Sequence, residues 1–545
     1  MKLNRVSKIV LSLSIVGWLI IGFLIFNSVN VEAKDNIKTN IYKKLKLFNE
    51  VLFKVKENYV EEVDLEEMFD SAIEGMLDET DPHTNYFTPD EFKRFTTNTK
   101  GEFGGLGISI DKRGQYITVV APIEGTPAYR MGILAGDKII KVDGESIVGV
   151  DTDESIKLMR GEPGTNVVIT IKRPGVKDEL DFDIERDIIK IESIPYAFKL
   201  DNGIGYIRIR QFNSNTSKEL RENLDELEEK GIRGLLIDLR FNPGGLLQEA
   251  INTVNEFIGK DKLVVFTKGR AKGTNREHFT RYNRQRTGYP VVVLINEGSA
   301  SASEIFAGSM QDWDRGLVVG KTSFGKGSVQ RLFPLSEGNG IKITTAKYYI
   351  HSGRCIHKDL NDQLLTDERV QNGDISKKEI DEMKDKAEKE SKEKIYYTEK
   401  GRIVYGGGGI TPDVEISQSR LNDLEIEMRR KNVFFDYSVK YLLDHEEIRK
   451  NFTVSNELVD NFLTYVEEDD IQYEQTTLDS SMIWIKNQIK SNIIGRKYGD
   501  EERYKISLDE DTQLQEAIAL FDKYPSLELM FEYSQQISEE TEENN

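Results

Sequence analysis

The sequence has little of several residue types on which whole classes of function depend. Its 545 residues include one cysteine, Cys355, which excludes an intrachain disulfide and a cysteine-based zinc site. No HExxH, GxxxxGK[ST] or EF-hand pattern occurs, so we expect neither a metal nor a nucleotide cofactor. Acidic residues outnumber basic ones. The resulting formal net charge of −20 argues against a nucleic-acid partner, since phosphate binding needs a basic surface.

Long apolar runs are also scarce, and the one that stands out lies near the N terminus. Ile9 to Phe26 carries no charge and follows three basic residues. Its length fits a short membrane span or a long signal-peptide core, and the preceding charges orient the rest of the chain outward. Residues 1–33 are therefore expected to be either a removed signal peptide or a retained membrane anchor. Both place the protein in the cell envelope, at the outer (periplasmic or extracytoplasmic) side of the cytoplasmic membrane.

The segment after position 290 has the pattern of a catalytic turn. Val291 to Ile295 is an uninterrupted apolar run, typical of a strand buried on both faces. Small residues follow, and a predicted helix begins near Glu304. A serine at such a helix start lies beside free backbone N–H groups, which favour a developing negative charge.

A serine nucleophile needs a base, and none of the five histidines falls in this segment or in the loop that follows it. That loop carries Lys326 between Gly325 and Gly327, where neighbouring backbone can pack closely. Burial disfavours the charged form of an amine, so a neutral lysine there can accept the serine proton. The plainer alternative is a buried strand pair with a solvent-facing lysine.

These two motifs, GSASASE and FGKGSVQ, together resemble the carboxy-terminal processing peptidases, also called tail-specific proteases. The resemblance implies that Ser301 is the nucleophile, that Lys326 is its base and that Gln330 holds the lysine in place.

A further motif, DLRFNPGG, resembles the oxyanion element of the same family. The resemblance implies that a glycine N–H, from Gly244 or Gly245, and the N–H of Ala302 bind the tetrahedral intermediate. The sequence leaves open which glycine it is. A double glycine alone is more often a plain strand-to-helix turn.

Residues 99–175 change to short β-rich runs, and their GLGI and GDKIIKVDG motifs resemble a PDZ domain. The resemblance implies that an extended peptide pairs with an exposed strand edge and that loop N–H groups hold its terminal carboxylate. Three roles are open for Arg160: it could bind that carboxylate, it could transmit peptide binding to the protease core, or it could be a solvated surface residue. A PDZ fold used only as a spacer is the alternative. The substrate-binding loop would consist of Gly105, Leu106, Gly107 and Ile108.

The remaining segments indicate a multidomain α/β protein. Strands and helices alternate over 176–416, which predicts much parallel pairing, and the resemblance implies a crotonase/ClpP-like protease core with the β-rich PDZ domain inserted before it. Residues 40–98 are predicted to form N-terminal helices. His83, which follows Asp81 and Pro82, is expected to have a capping or turn role. A charged insert at about 360–400 reads as solvated, and 417–545 as a helical extension with an acidic, disordered tail.

Together these features predict an envelope serine endopeptidase that recognises protein or peptide substrates by apolar C-terminal tails. A non-catalytic PDZ scaffold with a degenerate protease fold is the alternative. A latent enzyme, blocked by its PDZ domain until a regulatory adaptor arrives, is a further hypothesis. Pairing into a homo-oligomer is compatible with the helical segments.

Overall fold

The computed structural model describes residues 40–359 and 375–543, apart from single positions 124, 393, 418 and 446. The expected signal peptide or anchor and part of the charged insert lie outside the described residues. Within the described ranges, no helix combines the length and apolarity needed to cross a membrane. The chain divides after Thr80 into two compact units.

The first unit contains two helices, α1 (40–58) and α2 (Leu65–Asp78). Asp64 begins α2, where its carboxylate accepts the backbone N–H groups of Glu66 and Glu67. The rings of Phe48 and Phe69 lie 6.2 Å apart, so the two helices contact each other through aromatic side chains.

The second unit begins with a short strand and a helix and continues into the segment that resembles a PDZ domain. Its sheet has the order β3-β4-β5-β7-β8, with β6 beside β5 and all pairs antiparallel. Strand β3 pairs with β4 alone among the described strands, which leaves one edge of β3 for an added peptide strand. The elements are β1 (Asn85–Phe87), α3 (Pro89–Lys100), β2 (Glu102–Gly105), β3 (Ile108–Arg113), β4 (Tyr116–Pro122), α4 (Pro127–Arg130), β5 (Lys138–Val142), β6 (Glu145–Ser146), α5 (Thr152–Met159), β7 (Asn166–Lys172), β8 (Leu180–Glu185) and β9 (Asp187–Lys190), which pairs with β2.

The next elements build a central sheet with mostly parallel strands. Its order is β10-β11-β12-β15-β16-β21, and every pair except β10–β11 is parallel. The elements between residues 196 and 320 are β10 (Tyr196–Lys199), β11 (Ile204–Arg208), α6 (Thr216–Glu229), β12 (Gly234–Asp238), α7 (Leu247–Val254), β13 (Leu263–Lys268), β14 (Arg276–Phe279), β15 (Val291–Ile295), α8 (Ala302–Asp312) and β16 (Leu317–Gly320).

A second, antiparallel sheet lies beside the central one and carries the lysine loop. Strand β18 is its longest member and pairs with β1, β13 and β17, so residues 85–87 join the 176–416 segment through backbone pairing. The later elements are β17 (Ser328–Pro334), β18 (Gly340–Ile350), α9 (Lys377–Lys392), β19 (Ile395–Tyr397), β20 (Ile403–Tyr405) and β21 (Val414–Glu415).

Strand β15 is buried on both faces, as its apolar run predicted. Val291, Val293 and Ile295 belong to one hydrophobic cluster, with α6, α7 and α8. Val292 and Leu294 belong to another, on the opposite face of the sheet. The alternation fixes the register, because a one-residue slip would exchange the two faces.

The opposite face of the central sheet is covered by helices from the C-terminal extension. Leu514, Phe521 and Met530 pack there against the strands. The apolar faces of these helices therefore serve packing within the chain. The extension contains α10 (Asp423–Arg430), α11 (Val433–Asp444), α12 (Asn456–Glu468), α13 (Gln475–Tyr498), α14 (Asp500–Ser507), α15 (Thr512–Lys523) and α16 (Leu527–Glu543). The expectation of a disordered acidic tail is wrong as far as Glu543, because α16 continues through these residues.

The extension also contacts the β3–β8 sheet. The guanidinium of Arg113, at the end of β3, lies 3.5 Å from the ring centroid of Phe435 and 3.0 Å from a carboxylate oxygen of Asp436. Arg496 donates to the carbonyl of Ala135 at 2.6 Å. The predicted multidomain α/β architecture is confirmed. Its C-terminal helices contact both the central sheet and the region of the β3–β8 sheet.

Candidate active site

Ser301 lies in a strained turn between β15 and α8. Its φ of 56° and ψ of −112° fall in a region that residues other than glycine rarely adopt, at a cost of about 1–3 kcal/mol. The residue is half-buried, while Ala302, which begins α8, is fully buried. The turn therefore presents a partly accessible hydroxyl beside the N terminus of a helix.

Lys326 lies in the loop between β16 and β17, and neighbouring backbone packs closely against both of its glycine neighbours. A Cβ placed on Gly327 would lie 2.6 Å from the backbone N of His357, and one on Gly325 would lie 2.6 Å from Cβ of Lys358. Only glycine fits at these positions, and the lysine side chain itself is half-buried.

Glu304 joins the serine turn to the lysine loop. Its Oε2 accepts the backbone N–H groups of Ser301, at 2.7 Å, and of Lys326, at 2.9 Å. Its Oε1 accepts the Ser323 hydroxyl and the Gly325 N–H, both at 2.6 Å. Ser301 and Lys326 therefore share one acceptor atom, which brings their backbones together.

Burial raises the pKa of Glu304 to about 7, although the four hydrogen bonds that it accepts act in the opposite direction. The side chain is 1% exposed. Two donors at each oxygen match the acceptor capacity of an ionised carboxylate, so the ionised form accepts all four bonds.

Tyr348, on β18, links the same two residues through their carbonyl groups. Its buried hydroxyl lies 3.1 Å from the carbonyl oxygen of Ser301 and also contacts the carbonyl oxygen of Lys326. Burial raises the pKa of this phenol well above its usual range, so the hydroxyl stays protonated and donates. The serine turn and the lysine loop are thus fixed to each other through both their N–H and their carbonyl groups.

The turn after β12 reaches the serine. A Cβ placed on Gly244 would lie 2.6 Å from the carbonyl oxygen of Ala300, 2.7 Å from Cβ of Ser301 and 2.8 Å from the backbone N of Ala302. The structure thus brings together the predicted nucleophile, Ala302 and the double glycine.

The two glycines differ in their hydrogen bonding. The N–H of Gly244 donates to Oδ1 of Asn242 at 2.9 Å. By contrast, the N–H groups of Gly245 and Ala302 have no protein acceptor in the described part of the chain. Gly245 and Ala302 are therefore the available donors for an oxyanion.

Gln330 follows on β17, where its side-chain amide donates to the hydroxyl of Ser328, at 2.8 Å, and to that of Thr344, at 3.3 Å. Thr344 in turn donates to Asp81, which also accepts the backbone N–H of His83 at 2.9 Å. Gln330 thus lies in a hydrogen-bonded network that reaches the 81–87 segment.

The predicted carboxylate-binding loop, residues 105–108, connects β2 to the exposed edge of β3. Within the described ranges, the N–H groups of Leu106 and Gly107 donate to no protein acceptor. The Arg160 guanidinium stacks 4.2 Å from the Phe103 ring centroid, close to Gly105, and burial, reinforced by Arg94, lowers its pKa. The structure therefore places Arg160 beside this loop.

Sequence reasoning missed the roles of Glu304 and Tyr348. A signal for Glu304 was present, because serine followed three positions later by glutamate is a capping-box spacing. Tyr348 had no such local signal, since its contacts are with residues 47 and 22 positions away.

Three family models match the chain. Residues 203–370 match Peptidase family S41, residues 118–173 match the PDZ domain, and residues 426–499 match a family of unknown function, DUF8443.

Proteins of similar sequence are named carboxy-terminal processing proteases. The carboxy-terminal-processing protease of Bartonella bacilliformis is 41% identical over 325 residues, which are 59% of this chain and 74% of the relative. The carboxy-terminal processing protease CtpA of Bacillus subtilis is 37% identical over 311 residues, 57% of this chain and 66% of the relative. A solved photosystem II D1 C-terminal processing protease is 30% identical, with 56% and 83% of the two chains covered and a TM-score of 0.34.

The PDZ match implies that the protein binds peptides, and the S41 match covers the segment that contains both Ser301 and Lys326. Because the chain covers almost three quarters of a curated relative at 41% identity, it belongs to the carboxy-terminal processing proteases of peptidase family S41.

Proposed function

We propose that this protease is a serine endopeptidase in which Ser301 is the nucleophile and Lys326 the general base. The observation that carries the proposal is the shared anchoring of both backbones by Glu304, buried at 1% exposure. Such anchoring holds the backbones of the nucleophile and its base close together, which favours proton transfer between their side chains.

The reaction follows from these positions. Lys326, as a neutral amine, takes the proton of the Ser301 hydroxyl while Oγ attacks the substrate carbonyl carbon. The protonated amine then gives this proton to the leaving amine, the C–N bond breaks and an acyl-enzyme remains. Water, deprotonated by the same lysine, hydrolyses the ester and restores Ser301. To Gln330 the proposal assigns the role that the family resemblance implies, that of orienting the lysine.

The oxyanion of the tetrahedral intermediate is bound by the N–H groups of Gly245 and Ala302. Ala302 directly follows the nucleophile, Gly245 directly follows Gly244, which packs against Ser301, and both N–H groups lack a protein acceptor in the described ranges. Each donor of this kind contributes about 3 kcal/mol to transition-state stabilisation.

Substrate capture is assigned to the PDZ domain. The free edge of β3 pairs with an extended apolar tail, and the 105–108 loop, with Arg160 beside it, binds the terminal carboxylate. Capture then supplies the preceding segment to the core. We place the enzyme in the cell envelope, secreted or anchored by residues 1–33, because of the basic and apolar pattern of that segment.

Digestion of a tagged protein with an apolar C-terminal tail tests the proposal. Wild type cleaves it, whereas Ser301→Ala and Lys326→Met do not. Lys321→Met is the matched control, because Lys321 lies in the same loop and pairs with Glu415 rather than with the site. Equal cleavage by all four proteins would reject the mechanism, and tail binding without cleavage by wild type would identify a PDZ scaffold.

Deletion of residues 101–174 separates substrate capture from latency. We expect cleavage of the tailed protein to slow, because the captured segment is no longer delivered to Ser301. An increase would instead identify a latent enzyme that its PDZ domain blocks.

A further inference from the structure

Arg240 lies two residues after β12, directly before the oxyanion turn, and it is 5% exposed. The residues that follow it, 241–245, form the turn that contacts Ser301. Whatever fixes Arg240 therefore fixes one end of this turn.

The guanidinium of Arg240 is held from two sides. Asp238, the last residue of β12, accepts from Nη2 at 2.7 Å. Asp511 accepts from Nη1 at 2.9 Å and from Nη2 at 2.6 Å, a bidentate pair, and Oε1 of Gln513 accepts from Nη1 at 3.1 Å. Asp511 and Gln513 belong to the C-terminal extension, about 270 residues further along the chain.

Charges in this buried cluster balance. Arg208 and Arg240 face Asp238 and Asp511, with Arg208 2.6 Å from Asp238. Burial opposes ionisation of Asp238, but the two arginines hold the pKa of its carboxyl well below its usual range. Loss of the Asp511 charge would leave the buried Arg240 and the partly buried Arg208 facing one anion, and Arg240 would have to move.

The turn has little slack to absorb such a movement. Phe241 has a φ of 56°, rare for an aromatic residue, and its N–H donates to the side chain of Asn296 at 2.8 Å. Asn242 donates to the carbonyl of Ile209 at 2.9 Å and accepts the Gly244 N–H. Displacement of Arg240 would therefore be transmitted along a constrained backbone to the oxyanion donors.

We infer that Asp511 is a positioning residue for catalysis, which acts through its bidentate contact with Arg240 to hold the oxyanion turn beside Ser301. The C-terminal extension thereby completes the catalytic apparatus of the protease. This inference rests on the proposed function of Ser301 and of the 241–245 turn.

Asp511→Asn in the full chain tests the inference. Asp511 also caps α15 by accepting the N–H of Leu514 at 3.0 Å, and asparagine caps a helix equally well, so the substitution removes the charge and keeps the cap. Asp522→Asn is the matched control, because Asp522 lies on the same helix and pairs with Arg233 at the surface.

We expect the kcat of Asp511→Asn, per folded molecule, to fall about 10- to 100-fold with KM within about twofold, since the donors are displaced but not removed. Asp511→Glu restores the charge and recovers part of the loss, and Asp522→Asn keeps wild-type kcat. Arg240→Lys keeps the charge balance but not the bidentate contact, and should show the same selective loss of kcat, which covers the case in which Asp511→Asn does not fold.

An unchanged kcat in folded Asp511→Asn, or in Arg240→Lys, overturns the inference. A loss of total activity that is fully explained by a smaller folded fraction, measured by circular dichroism, also overturns the inference. In each case Ser301→Ala would still be inactive beside an active wild type, so the proposed function would stand. If Ser301→Ala cleaves as wild type does, the proposed function itself fails.

Discussion

Gly244→Ala perturbs the oxyanion turn at its contact with the nucleophile. The new Cβ would lie 2.6–2.8 Å from three atoms of residues 300–302, whereas ordinary contacts between carbon atoms begin at about 3.5 Å. The turn must therefore open by about 0.7 Å or more. Because a displacement of about 1 Å costs on the order of 10²-fold in rate, we expect kcat to fall by about that factor.

Gly231→Ala is the control for backbone strain. Gly231 has a φ of 68°, comparable with the 93° of Gly244, but no atom lies within 4 Å of its built Cβ. Both variants should lose about 1–2 kcal/mol of stability from the left-handed conformation, and both losses are measurable by denaturant unfolding. Only Gly244→Ala should lose kcat, measured on a peptide substrate per folded molecule. Equal kcat in the two variants would refute the placement of this turn at the reaction centre.

Three further predictions concern charged side chains. Glu304→Gln replaces an acceptor by an amide that points N–H toward N–H, so activity and thermal stability should both fall; a fully active variant would contradict the role of Glu304 as the link. Because the folded-state pKa of Glu304 is raised to about 7, the free energy of unfolding of wild type, relative to that of Glu304→Gln, should be highest below pH ~4.5. It should decrease by about 3 kcal/mol as the pH rises through 7, and a difference that is flat with pH would refute the assignment. Arg113→Ala should raise hydrogen exchange in α11, at a cost of about 1 kcal/mol or less, because Asp436 is 45% exposed; unchanged exchange would show that the contact does not hold the PDZ domain.

Local pattern was sufficient for much of the fold. The apolar run of β15 predicted burial on both faces, and small residues predicted the turn and the start of α8. Burial on both faces requires a second cover for the sheet, but no local signal indicates which segment supplies it. The extension does so, through Leu514 and Phe521, and this depends on contacts across the whole chain.

The candidate site divides in the same way. The motif positions of Ser301 and Lys326 could be read directly, because each lies in a short, distinctive sequence. The choice between the two glycines required the Asn242 contact. The contact of Asp511 with Arg240 joins residues 271 positions apart, so neither residue predicts the other.

The most direct test of the central claim is the rate at which a fluorophosphonate probe modifies the protein, with the adduct located by peptide mass spectrometry. The account predicts one adduct, on Ser301, formed rapidly by wild type and by Lys321→Met and at least about 10²-fold more slowly by Lys326→Met. An adduct on another residue, or equal rates with and without the Lys326 amine, would contradict it.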